Sequence, residues 1–150
     1  MKARILAGLP KRARWIIDDM TLDFDFSPER FSLRYVDDRD IVGGPVPAEW
    51  DGCRIFGMCD YAEGGGASPW ISIRESDGFV CGLDVELTGS TIYIFNSSLD
   101  RFLRTFQLLD PYLRAGASLP PELRSQIKAV DPEVFEQSDW RETIDYVDSL

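Results

Sequence analysis

An α+β fold is predicted by three features of the sequence: a period-two apolar alternation at Leu22, Phe24 and Phe26, a three-stranded meander from Trp70 to Phe95, and a strand-to-helix unit from Thr91 to Leu109. Together they imply a central, mostly antiparallel sheet of about five to six strands with helices packed on it. In the unit TIYIFNSSLDRFLRTFQLL, residues 91 to 95 are β-branched or aromatic throughout, which suits a buried strand. Asn96, Ser97 and Ser98 stop the strand. Ser97 is expected to cap the following helix, with Asp100 at its third position near the positive end of the dipole. Leu99, Phe102, Leu103 and Phe106 share one helical face, leaving Arg101, Arg104 and Gln107 as solvated groups.

Taken in order, residues 3 to 9 are mildly helical up to Gly8 and Pro10. Arg14 to Met20 suits a short strand or a helical turn equally. Leu22, Phe24 and Phe26 then form a strand whose Asp23 and Asp25 face outward and discourage edge-to-edge pairing. After a Ser27-Pro28 turn, Arg30 to Val36 reads as a strand. Asp37 to Asp40 is a charged loop, and Gly43, Gly44, Pro45 and Pro47 imply irregular backbone up to about Gly52. Arg54 to Cys59 is the next strand, and Gly64 to Gly66 marks a loop tip. Trp70 to Glu75, Phe79 to Val85 and Thr91 to Phe95 form the meander. Its turns fall at Asp77-Gly78, where both residues can take positive φ, and at Leu87 to Ser90. Asp110-Pro111 is expected to bend the chain out of its helix. Leu123, Ile127 and Val130 mark a helix begun near Pro120 or Pro121, and Asp131-Pro132 reads as an N-cap with proline at the first helical position. Ser138 caps a last helix with Trp140, Ile144 and Val147 inward and Glu142, Asp145 and Asp148 outward. With no repeat and no long linker, residues 1–150 are expected to form one domain.

Composition narrows the function classes. The chain has 150 residues, 44% apolar or aromatic, enough for a core without metal or disulfide staples. There is no run of roughly 20 apolar residues to span a membrane. The patch from Ile5 to Leu9 is broken by Gly8 and Pro10, so no signal peptide is expected. Cys53, Cys59 and Cys81 cannot all pair and form no close-spaced ligand set, and no histidine is present. Buried reduced thiols in a cytoplasmic protein, without zinc, are the plain reading.

The missing histidine excludes Ser-His and Cys-His nucleophile activation. Asp84 and Glu86 share a strand face but are explained by a solvated sheet edge. Gly64 to Gly66 lacks the Lys-Ser/Thr of a phosphate loop and leads into a strand. Ser97 and Ser98 are explained by capping. No nucleophile, base and oxyanion donor come together, so the chain reads as a binding protein with no cofactor. Its net charge is −10, with five basic groups and no acid in residues 1 to 14, and seven acids against Arg141 alone in residues 131 to 150. Such a surface repels nucleic acid and anionic lipid and speeds encounter with basic partners; acidity also keeps a protein soluble.

IYIFNSSLDRFLRTF resembles the strand-then-"FVNSSLxxFL" signature of the SUKH superfamily of immunity proteins, in particular its fourth family. Arg54 to Gly57 (RIFG) is similar to that family's first sheet strand, Gly82-Leu83-Asp84 to Gly89 to its "LD…TG" turn, Asp139-Trp140 to its closing tryptophan helix, and Ala7 to Pro10 to its N-terminal turn. The likeness runs from about residue 7, with the NSS-helix segment its distinctive part; Asp37 to Trp50 and Gly64 to Gly66 depart from the pattern.

The resemblance implies an α+β sheet with helices packed on it. It implies a bacterial protein that binds and neutralises a cognate polymorphic toxin, often a nuclease or nucleotide deaminase, by stoichiometric occlusion. The superfamily is related to fungal cell-wall assembly regulators, so an intracellular scaffold or regulatory module without a toxin is the alternative. No catalytic residue carries over, and the NSS segment is implied to be structural. A toxin acting on nucleic acid presents a basic cleft, which acids could occupy as phosphate mimics. Exposure and charge select the loop acids Asp37, Asp38, Asp40, Asp60, Glu63 and Asp77 as candidate contacts. The helical acids Glu142, Asp145 and Asp148 form a second candidate surface.

Overall fold

The computed structural model describes residues 7–37, 46–62, 69–84 and 92–150. The strands are β1 (Arg12–Ile17), β2 (Met20–Asp25), β3 (Arg34–Tyr35), β4 (Cys53–Tyr61), β5 (Trp70–Arg74), β6 (Val80–Leu83) and β7 (Ile92–Asn96). Six of them lie side by side in the order β1-β2-β4-β5-β6-β7, every pair antiparallel, and β3 pairs with β4 off this path. The helices are α1 (Pro28–Phe31), α2 (Leu99–Arg114), α3 (Pro121–Val130) and α4 (Asp139–Asp148), with single 3-10 turns at Ala48–Trp50 and Phe135–Gln137. The predicted α+β class is therefore observed: a curled antiparallel sheet with helices packed against it.

The curl has a visible cause in the aromatic core. Trp15 of β1 stacks on Phe106 of α2 at 4.7 Å, while Phe95 of β7 meets Phe102 of the same helix at 5.7 Å. The first and last strands of the sheet thus close on one helix. Phe24, Phe26, Phe56 and Trp140 fill the space between, in tilted, stacked and edge-to-face pairs each worth about 0.5–1.5 kcal/mol beyond their burial. Backbone must come close here. The strand register shifts between Ile55 and Gly57, and a Cβ on Gly57 would sit 2.5 Å from the Phe26 ring. Phe26 is buried and cannot swing away.

Several local expectations give way to tertiary packing. Arg14 to Met20 resolves as strand β1 and a tight turn at Asp18, whose φ is +54°. Arg30 to Val36 is not one strand. Pro28 is preorganised for a helix start, and the Ser27 carbonyl accepts from the Arg30 and Phe31 N–H groups, so α1 forms; Ser32 and Leu33 then take positive φ and leave only Arg34–Tyr35 extended. The hairpin after Arg74 has positive φ at Gly78 alone, because Asp77 uses its carboxylate to accept the Phe79 N–H and the Arg74 guanidinium. Helix α2 runs through Pro111 to Arg114. An interior proline costs about 3 kcal/mol. Continuing the helix buries Leu113 completely, worth about 1.5–3 kcal/mol, and lets Asp110 bind both Arg114 and the Trp15 indole. The Leu87 to Ser90 turn, the Gly64 to Gly66 tip and Glu86 lie outside the described residues.

Two acids depart from what their spacing predicts. β2 is an inner strand, and Asp25 at its end is buried, not solvated. Its carboxylate accepts from the Ser27 hydroxyl and N–H and from Arg12 and Arg30. Asp131 caps no following helix; it ends α3 and is 2% exposed. Its carboxylate takes the Ser97 N–H at 2.7 Å, the Ser97 hydroxyl at 2.9 Å, the Asn96 amide at 3.3 Å and Arg101 at 3.1 Å. Ser97 is thereby occupied, and Ser98 caps α2 by accepting the Arg101 N–H. Arg101 is correspondingly an ion-pair partner, not a free solvated charge.

Two stability predictions follow from this packing. Asp131→Ala, which removes the shared acceptor of four donors at one point, should lower unfolding free energy by on the order of 3–5 kcal/mol. Arg101→Ala should lower it by less, because three donors to Asp131 remain; urea melts of both variants check the order. Gly57→Ala should lose about 1–3 kcal/mol by overpacking against Phe26, read from the shift of its denaturation midpoint.

Candidate functional site

Helix α4 places the most distinctive surface feature. Ser138 caps it by accepting the Trp140 N–H at 3.1 Å, and the same hydroxyl donates to the Phe95 carbonyl at 2.6 Å. The Trp140 indole N–H donates to the Asn96 side-chain oxygen at 2.7 Å. Both contacts lock the first turn of α4 onto the end of β7. Trp140 and Ile144 are buried and Val147 packs against the core, as the helical spacing predicts, with Glu142, Asp145 and Asp148 exposed.

Where α4 meets the inner face of β1, β2 and β4, the core is left open as a cleft of about 310 Å³. Its floor is aromatic, with Trp15, Phe24, Phe95 and Trp140; Leu22, Met20 and Tyr61 form one wall and Thr143 and Tyr146 the other. Asp60, Asp139 and Glu142 stand at it, and no lysine or arginine is among the lining residues. Asp60 borders the rim from the outer face of β4, with its carboxylate turned back onto the Tyr61 N–H at 2.8 Å. Asp23, its cross-strand neighbour, is neutralised by Arg14. Glu142 is exposed. Asp139 is half-buried, and among the described residues its carboxylate has neither a hydrogen-bond nor an ion-pair partner. Burial, reinforced by the charge of Glu142, raises its pKa to about 6.

The structure divides the predicted contact acids. Asp60 and Glu142 come together at the cleft. Asp145 and Asp148 lie further along α4, Asp145 paired with Arg124. Asp77 is held by Arg74 at the hairpin tip, and Asp37 is exposed beyond β3. Asp38, Asp40 and Glu63 lie outside the described residues. Asp139, which lines the cleft, is not among the contact acids that the sequence predicts. Its signal in the sequence was an acid beside tryptophan at the start of an amphipathic helix, which capping and dipole arguments alone already accommodate.

Chemically reactive groups are few among the described residues. All three cysteines are buried and unpaired. Burial holds the Cys59 thiol far above its usual pKa and the Cys81 thiol at about 11, so both stay protonated and poor as nucleophiles. No group of three or more His, Cys, Asp or Glu side chains among the described residues is arranged to hold a metal ion. No helix among the described residues is long and apolar enough to cross a membrane. Compared with known protein families, with curated proteins and with solved structures, the chain matches none.

The raised Asp139 pKa makes a signed prediction. A carboxyl whose folded pKa lies above its ordinary value of 3.8 holds its proton more tightly in the native state, so stability is complete below about pH 4 and falls as pH rises through about 6. Asp139→Asn should therefore be more stable than wild type at pH 8, by on the order of 1–2 kcal/mol after allowance for its solvent contact. The difference should vanish near pH 4, as thermal melts across this range would show.

Proposed function

We propose that the protein is an immunity-type inhibitor: it binds a basic toxin inside the producing cell, one to one, and blocks it by occupying its active cleft. The observation that carries this reading is the cleft at α4, where an apolar floor is edged by Asp60, Asp139 and Glu142 and no lysine or arginine is among the described lining residues. An apolar centre with charge at its rim is the usual anatomy of a protein-binding surface. The overall charge of −10 adds long-range attraction to a basic partner. The likeness of the Asn96-Ser97-Ser98 helix segment to SUKH immunity proteins supports the toxin as that partner, with a nuclease or nucleotide deaminase the chemistry best matched to an acidic inhibitor. The cytoplasm is the compartment that this role and the three free thiols favour.

The test begins with recovery of the partner by pull-down from the native host, followed by co-expression in cells that the partner harms. Wild-type protein should restore growth. The double reversal Asp60→Lys and Glu142→Lys should weaken partner binding at least about tenfold and reduce its salt dependence, while Glu49→Lys, outside the cleft, should leave both unchanged. A partner that binds tightly but harms no cell would favour the scaffold reading. Double-reversal binding equal to wild type would move the interface off α4.

A further inference from the structure

The cleft is more specific than an acidic surface. Its volume of about 310 Å³ is at the lower end of small-ligand sites, which suits one side chain and not a folded segment. Its walls are apolar and aromatic over most of their extent, with Leu22 and Tyr61 facing Tyr146. Asp60 and Glu142 line this space, and Asp139 lines it as well, as a half-buried acid without a partner among the described residues. A neutral apolar occupant would leave that carboxylate desolvated and unpaired, which is the costly arrangement; an anionic one would be repelled. A long side chain with an apolar stem and a cationic head satisfies both halves of the site.

We infer that the cleft receives a single arginine or lysine side chain of the protein partner as an anchor, its stem against Leu22, Tyr61 and Tyr146 and its charged head at the Asp139 carboxylate. This rests on the partner-binding reading for the carrier of the cation, but the pocket chemistry can be measured without any partner. Arginine suits it better, because its planar head pairs with carboxylate in two parallel hydrogen bonds and lies flat on tyrosine rings. Buried cationic anchors in an otherwise apolar pocket are where interface energy concentrates.

Binding is coupled to a proton. Among the described residues, the groups facing Asp139 are Glu142 on its own helix, Cys59, Asp60 and Tyr61 on β4, Tyr93 on β7, and Tyr146 across the mouth. None is cationic, and Arg141 of α4 is not among the lining residues. A guanidinium arriving there lowers the Asp139 pKa. Between about pH 5 and 7 its binding therefore releases protons and tightens as pH rises.

The probe is the capped tripeptide acetyl-Gly-Arg-Gly-amide, with its citrulline counterpart as neutral isostere and agmatine as a free amine, titrated into ¹⁵N-labelled protein. The expected result is saturable shifts at Tyr61, Asp139, Trp140 and Thr143 for the arginine peptide, at least about tenfold weaker for the citrulline peptide and for Asp139→Asn. Affinity should rise from pH 5 to pH 7 in wild type and stay flat in Asp139→Asn. Asp145→Asn with Asp148→Asn, which lowers the overall charge elsewhere on α4, should change affinity less than about twofold. Equal binding by the two peptides, or equal loss in both variants, would overturn the anchor. Tighter binding of agmatine than of the tripeptide that persists at an ionic strength high enough to screen agmatine's second charge would overturn the protein source of the cation. No saturable shift, with partner rescue intact, would remove the anchor and leave the inhibitor reading standing. Peptide binding without any partner recovered would do the reverse.

Discussion

The fold turns on a buried polar junction at the end of β7. Asn96 is 2% exposed and reaches three elements at once: its oxygen accepts the Trp140 indole of α4, and its amide reaches Thr105 of α2 and Asp131 at the end of α3. Each of these groups would cost on the order of 1–3 kcal/mol if buried alone. Assembled, they are satisfied only when the last strand and all three long helices are in place. Hydrophobic burial supplies most of the energy of such a fold but is indifferent to small slips. A junction of directional bonds is not, and it sets the axial position of α2 and α4 against the sheet.

Much of the fold could be read in the sequence because its causes are local. The alternation of Leu22, Phe24 and Phe26, the apolar runs of β4 to β7 and the inward face of α4 all follow from strand and helix periods. What escaped was decided at a distance. Asp131 meets Ser97 across 34 residues, and nothing near Pro132 tells a helix cap from a carboxylate buried under another segment. Asp25 obeys the alternation yet is enclosed, since β2 is flanked on both sides and its end is covered by the Ser27 turn and two arginines. Pro111 is tolerated because Leu113 and the Asp110 contacts outweigh its local cost.

The sequence names candidate acids but not their surroundings. Counting exposed acids identifies a surface suited to cations, and Glu142 and Asp60 were among those chosen. Counting cannot show which acids already have a cation. Asp77 and Asp145 spend their charge on Arg74 and Arg124 within the chain, so an incoming basic group gains less from them. It also passes over Asp139, where desolvation rather than exposure makes the charge consequential. Strong interactions come from acids that lack water as well as a partner, and burial is a property of the fold.

The junction and the cleft are one piece of architecture. Asn96 holds the Trp140 indole, Trp140 forms the cleft floor, and Ser138, bound to the Phe95 carbonyl, fixes the first turn that carries Asp139. Asn96 thus helps to place the helix turn that carries Asp139. An ionised group held half-buried without a partner lowers stability near neutral pH, and asparagine in its place would remove that penalty. Proteins retain such locally unfavourable groups where a ligand completes them. In the anchor reading, the penalty at Asp139 is the free energy recovered when a cation enters, so a carboxylate that costs stability in the free protein would contribute to binding.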